Sequence, residues 1–154
     1  MTDDTANLQP PAPPPSEPHP TLKTLEPLVG IWEVKGSDSD TDDAVSGRIE
    51  FEWMEGGFFL IQKVELAHSG SPGKGLEIIG YDEAAGVCTS NYFDSSGNRF
   101  TYAWEVAGDT LRIWFGGKGS PAGFTGTFSD GGKTLTGQWE WPGGGYHATS
   151  TKIG

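Results

Sequence analysis

Residues 47–67 read GRIEFEWMEGGFFLIQKVELA, two alternating runs joined by a pair of glycines. In the first run Ile49, Phe51 and Trp53 fall on one face of an extended chain, and Arg48, Glu50 and Glu52 on the other. In the second, Phe58, Leu60, Gln62, Val64 and Leu66 alternate with Lys63 and Glu65. A period of two marks a half-buried strand, and Gly56-Gly57 supplies turn chemistry. The stretch therefore predicts an antiparallel hairpin.

The same pattern extends in both directions. Upstream lies IWEVKG (31–36); downstream come LEIIGYD (76–82), VCTSNYFD (87–94) and RFTYAWEV (99–106). TLRIWFG (110–116), FTGTFSD (124–130), TLTGQWEWP (134–142) and YHATSTKI (146–153) complete the series. That makes ten strands joined mostly by short Gly-containing connections, with no periodic helix between them. A meander of this length must curl, because open edges pair with other chains, and closure gives every strand one inner and one outer face. The expected fold is all-β: a ten-stranded antiparallel up-and-down barrel.

Composition agrees. The chain has 154 residues, enough for one domain, with 24 Gly, six Trp, eight Phe and four Tyr, a mixture of turns and aromatics suited to strands. The formal charge is −11 with no cluster of Lys or Arg, which argues against nucleic acid or an anionic membrane as partner. A single cysteine, Cys88, rules out an internal disulfide and a Cys-based zinc cluster. No apolar run is long enough for a membrane-spanning helix, and the N-terminus lacks the basic and apolar regions of a signal peptide, so the expected location is cytoplasmic. Nothing in the chain excludes a homodimer.

Seven of the eleven prolines lie in the first twenty residues. Residues 1–19 are therefore expected to be a disordered tail, with residues 20–154 forming the barrel domain. PPAPPP (10–15) has polyproline character, but no basic anchor flanks it, and a solvated tail is the simpler reading. After the tail, Leu22, Leu25 and Val29 recur at spacings of three and four. Thr21 as N-cap and Pro27 as terminator make this one short helix, placed to plug one end of a barrel.

The junction LVGIWEVKG (28–36) puts Gly30-Ile31-Trp32 directly after that helix. It resembles the G-x-W signature of calycins, the superfamily of lipocalins and fatty-acid-binding proteins. GGFFLIQ (56–62), GYDEAAGV (80–87) and FDSSGN (93–98) follow in matching order. Together these segments resemble a bacterial lipocalin-like family of unassigned function over residues 22–153. The resemblance implies a barrel whose early tryptophan packs across the closed end. Nitrobindin-like haem barrels are a second resemblance: they open with G-x-W-x-G-x-G and hold iron through a histidine on the last strand. Gly30, Trp32 and Gly36 match and Val34 replaces the middle glycine, while His147 begins the last strand. That resemblance implies haem with His147 as proximal ligand, as the alternative to no cofactor.

With apolar faces inward, parity points Trp53, Gln62, Tyr102, Trp104, Trp139, Trp141 and His147 into the barrel. Aromatic walls with a few polar groups suit a small, largely apolar molecule, and barrels of this size leave room for one. The competing reading is a solid core of rings, but Gln62 and His147 would then be buried at a cost. A lone histidine is most often structural, and the alternation places no carboxylate inside to orient it for catalysis. An enzyme of the cyclase or isomerase type is thus the third reading, behind binding.

Other motifs carry less. DSDTDD (38–43) matches an EF-hand loop at Asp38, Asp40 and Asp42 but has Asp43 for the glycine and Ile49 for the glutamate, so it reads as an acidic loop. Glu50 and Glu52 lie two apart on a strand, ~6.5–7 Å, but on the solvent face. Arg112 and Trp114 share the face opposite Leu111 and Ile113. GSPGKG (70–75) and GGKGSPAG (116–123) match no phosphate loop and read as long mobile loops at the barrel mouth. Cys88 has no basic neighbour to activate its thiol.

Overall fold

Alternation plus glycine turns produces ten strands in consecutive order. The computed structural model describes residues 12–154. β1 (Gly30–Asp38), β2 (Ala44–Trp53), β3 (Phe59–His68), β4 (Ser71–Asp82) and β5 (Val87–Asp94) are followed by β6 (Arg99–Ala107), β7 (Thr110–Phe115), β8 (Gly123–Ser129), β9 (Thr134–Trp141) and β10 (Gly144–Lys152). Each strand pairs antiparallel with its neighbour in sequence, and β1 also pairs with β10, from Trp32 opposite Lys152 to Asp38 opposite Tyr146. The sheet is a closed barrel without free edges, which removes the aggregation hazard of a long meander.

One end is sealed by the segment Pro20–Leu28, a 3₁₀ helix that packs on β4, β5 and β6. Its buried residues are Leu22, Leu25 and Leu28, recurring every three positions as a three-residue turn requires. The expected Thr21 cap is replaced by His19, whose Nδ1 accepts the Thr21 N–H at 3.1 Å. His19 also stacks on Tyr81 with ring centroids 3.6 Å apart, so it belongs to the plug rather than to the tail. Most of that tail, residues 1–11, lies outside the described residues.

Trp32 explains the junction. Its indole is buried beneath the helix, donates Nε1–H to the Leu28 carbonyl at 2.8 Å, and carries the Lys152 ammonium 5.0 Å above its ring. Gly30 sits at φ +134°, where a Cβ would lie 2.6 Å from the Gly154 carbonyl oxygen. Only glycine can enter the barrel there.

The turns at residues 39–43, 69–70, 95–98, 116–122 and 142–143 gather at the opposite end, the mouth. GSPGKG, expected as a loop, is not one: only Ser69 and Gly70 turn, both with positive φ, and Ser71–Gly75 belongs to β4. A two-residue turn with both central residues left-handed matches the twist of the strands it joins. It also sets the register of β3 on β4, placing Gln62 opposite Glu77. GGKGSPAG does form a mouth loop, over residues 116–122.

Candidate functional site

Above the plug the barrel is hollow. The inner faces enclose a cavity of about 580 Å³ that reaches from Leu28 and Trp32 at the sealed end to Phe115 and Trp141 near the mouth. Its walls are largely aliphatic and aromatic. Tyr102 stands at the centre of an aromatic cluster, with ring centroids of Tyr92, Phe100, Phe115 and Trp139 between 5.6 and 6.4 Å from its own. All four contacts are edge-to-face, the arrangement that ring quadrupoles favour.

One polar group is set into this wall. Glu77 on β4 is only 4 % exposed. Its Oε1 accepts the Gln62 amide N–H at 2.7 Å, and its Oε2 accepts the Ser90 hydroxyl at 2.5 Å and the Trp104 indole N–H at 3.2 Å. The same indole N–H lies 3.0 Å from Ser90 Oγ. Four strands converge on the carboxyl: β3 with Gln62, β4 with Glu77, β5 with Ser90 and β6 with Trp104. Register explains the meeting, since Gln62 pairs with Glu77, while Cys88 pairs with Trp104 and so brings that indole to the inner face of β5. Burial pushes the Glu77 carboxyl up to about 7, although the bonds from Ser90, Trp104 and Gln62 pull it down. Burial likewise raises Tyr102 and pushes Tyr146 up to about 12, which keeps both hydroxyls protonated.

Of the seven residues expected inside, Gln62, Tyr102, Trp104, Trp139 and Trp141 line the cavity. Trp53 does not. It faces the barrel axis but lies at the sealed end, where Nε1 donates to Glu26 Oε2 of the helix at 2.7 Å. His147 is a correction of parity: it is exposed on the outer face of β10, and Tyr146 looks inward instead. The hairpin of β9 and β10 turns on Pro142-Gly143, pairing Trp141 with Gly144 and Trp139 with Tyr146. No His, Cys or Met lines the cavity among the described residues, so the haem expectation loses the ligand on which it rested.

Alternation alone left Glu77, and the Ser90 that donates to it, unassigned, and the expectation of no inward carboxylate is overturned. The signal was present in the Ser69-Gly70 turn, from which counting back along each strand sets Glu77 against Gln62. The remaining motifs behave as surface features. Asp38 accepts the backbone N–H groups of Asp40 and Thr41, which hold its carboxyl below the usual range, and no metal-sized cluster of His, Cys, Asp and Glu occurs among the described residues. Glu52 pairs with Lys63 at 3.2 Å on the outer face. Arg112 lies outside, its guanidinium 4.9 Å over the Trp114 ring. Cys88 is fully buried, and burial pushes its thiol up to about 11, the environment of an inert cysteine. No helix among the described residues is long and apolar enough to cross a membrane.

A family model described as "Protein of unknown function (DUF1579)" matches residues 15–119. No curated protein matches. Among solved structures, a de novo designed fluorescence-activating β-barrel is similar with a TM-score of 0.49 and 14 % identity, covering 84 % of this chain and 97 % of that one.

Proposed function

The chain belongs to DUF1579, a family of proteins of unknown function, so its role has to be read from its own interior, and we propose that it binds a small, largely apolar molecule inside the barrel. The observation that supports this reading is the cavity of about 580 Å³, within the range of small-molecule sites, with a largely apolar wall into which a hydrogen-bonded polar cluster is set. A barrel evolved only for stability gains more by filling such a space, because packed side chains hold the dispersion contacts that a void forfeits. Every buried polar side-chain atom among the described residues has a partner, so the polar cluster is a finished structure rather than a packing fault.

Native mass spectrometry of the purified protein tests the reading, together with calorimetric titration of a neutral two-ring probe, 1-naphthylmethanol. A retained adduct or saturable binding at one probe per chain is the expected result. A bare chain that takes up no probe at millimolar concentration refutes it.

A second reading is favoured by one observation. A carboxyl titrating near 7 in an apolar cavity has the properties of a general acid–base group, so the same site would suit isomerisation of a bound apolar substrate. Its test is loss of turnover in Glu77→Gln with binding retained.

A further inference from the structure

Once ionised, Glu77 has no counter-charge in the cavity wall among the described residues. An ionised carboxylate in an apolar wall is stabilised by donors, and three surround it, but no Lys, Arg or His lines the cavity among the described residues. Among the described residues Gln62 is the sole donor to Oε1, and a carboxylate oxygen has room for a second. The Trp104 indole can only donate, and Ser90 donates its hydroxyl to Oε2, so the ionised carboxylate is arranged as an acceptor.

The surroundings repeat one electrostatic sign. Among the described residues, the titratable groups beside Glu77 are the phenols of Tyr92 on β5 and Tyr102 on β6, and Tyr146 on β10 neighbours Tyr92; none is a base. Asp94 also lines the cavity, and bonds from Asn98 and Ser96 hold its carboxyl below its ordinary range. The remaining wall is aliphatic and aromatic, and aromatic rings attract cations over their faces. Beyond the barrel, a net charge of −11 draws cations toward the molecule.

We propose that the ligand is an amphiphilic cation: an apolar body that lies against Tyr102 and Trp139, bearing one positively charged nitrogen that donates to the free side of Glu77. This rests on the binding reading above and names the ligand class for that same cavity.

Three probes of one shape separate the terms: 1-naphthylmethylamine, 1-naphthylmethanol and 1-naphthoate, titrated calorimetrically into the full chain at pH 8. The amine is expected to bind about tenfold or more tighter than the alcohol, and the naphthoate more weakly than the alcohol. In Glu77→Gln the amine and the alcohol should bind alike. In the unsubstituted chain, the advantage of the amine should shrink about tenfold by pH 5, as protons compete for the carboxylate.

Titration at pH 6.5 in phosphate and in Tris, which differ in ionisation enthalpy, should show proton release with the amine and none with the alcohol. That readout needs no variant, so it decides the matter even if Glu77→Gln fails to fold. Equal affinities for amine and alcohol, or binding of the amine without proton release, overturn the proposal while the cavity reading stands on the alcohol. If none of the three probes binds, both fall.

Discussion

Glu77→Gln measures what the buried carboxyl does to the fold. In the folded chain Glu77 titrates at about 7, against 4.5 for the free group, a gap worth about 3 kcal/mol. The group is almost wholly shielded from solvent, so little of this is lost to screening. Below pH 4.5 it is protonated both folded and unfolded, and the favourable contribution is fully present. Between 4.5 and 7 the unfolded chain gives up its proton first, so stability falls as pH rises; above about 7 the whole contribution is gone.

Glutamine stays neutral throughout and escapes this loss, but its amide NH₂ requires Gln62 or Ser90 to turn an oxygen toward it, a cost of about 1–3 kcal/mol that does not vary with pH. The stability of the variant minus that of the unsubstituted chain should therefore climb by about 3 kcal/mol from pH 4.5 to 8. Urea unfolding followed by circular dichroism at half-unit intervals measures it. Asp38 and Asp94, whose lowered carboxyls make both chains less stable in acid, cancel in the difference. A difference that stays flat with pH, or that falls, refutes the claim that the interior holds this proton.

Three other perturbations bear on the plug and the outer face. Trp32→Ala removes a buried indole and its bond to the Leu28 carbonyl, and should cost about 3–5 kcal/mol; an unchanged melting temperature would show that the tryptophan does not close the barrel. Gly30→Ala forces a Cβ toward the Gly154 carbonyl at positive φ and should cost about 1–3 kcal/mol in urea unfolding, whereas an equal midpoint would deny the crowding. His147→Ala should leave stability within about 0.5 kcal/mol and the haemin absorption spectrum as in the unsubstituted chain, because the imidazole is outside; a lost Soret band would reinstate it as a ligand.

Strand number and closure were legible because they depend on repeated local signals: alternation within GRIEFEW or RFTYAWEV, and glycine between runs. Facing was legible only where the two sides of a strand differ in polarity. On β10 they do not. Tyr146, Ala148 and Ser150 look in, His147, Thr149 and Thr151 look out, and both sets mix small and polar residues. A one-residue difference in the PGGG turn then decides whether a histidine or a tyrosine meets the cavity, and composition has no vote.

LEII on β4 fails for the opposite reason: Leu76, Ile78 and Ile79 are apolar on both faces, so the glutamate among them carried no visible orientation. Trp53 shows a third limit, since parity placed it correctly but its height along the strand put it in the plug. In each case the missing information lies in turn length and stagger, which couple one strand to the next. A carboxylate gathered by four strands is the product of those couplings. For that reason Glu77, Gln62, Ser90 and Trp104, spread over 43 positions of sequence, become a single group only once the Ser69-Gly70 turn has set the count.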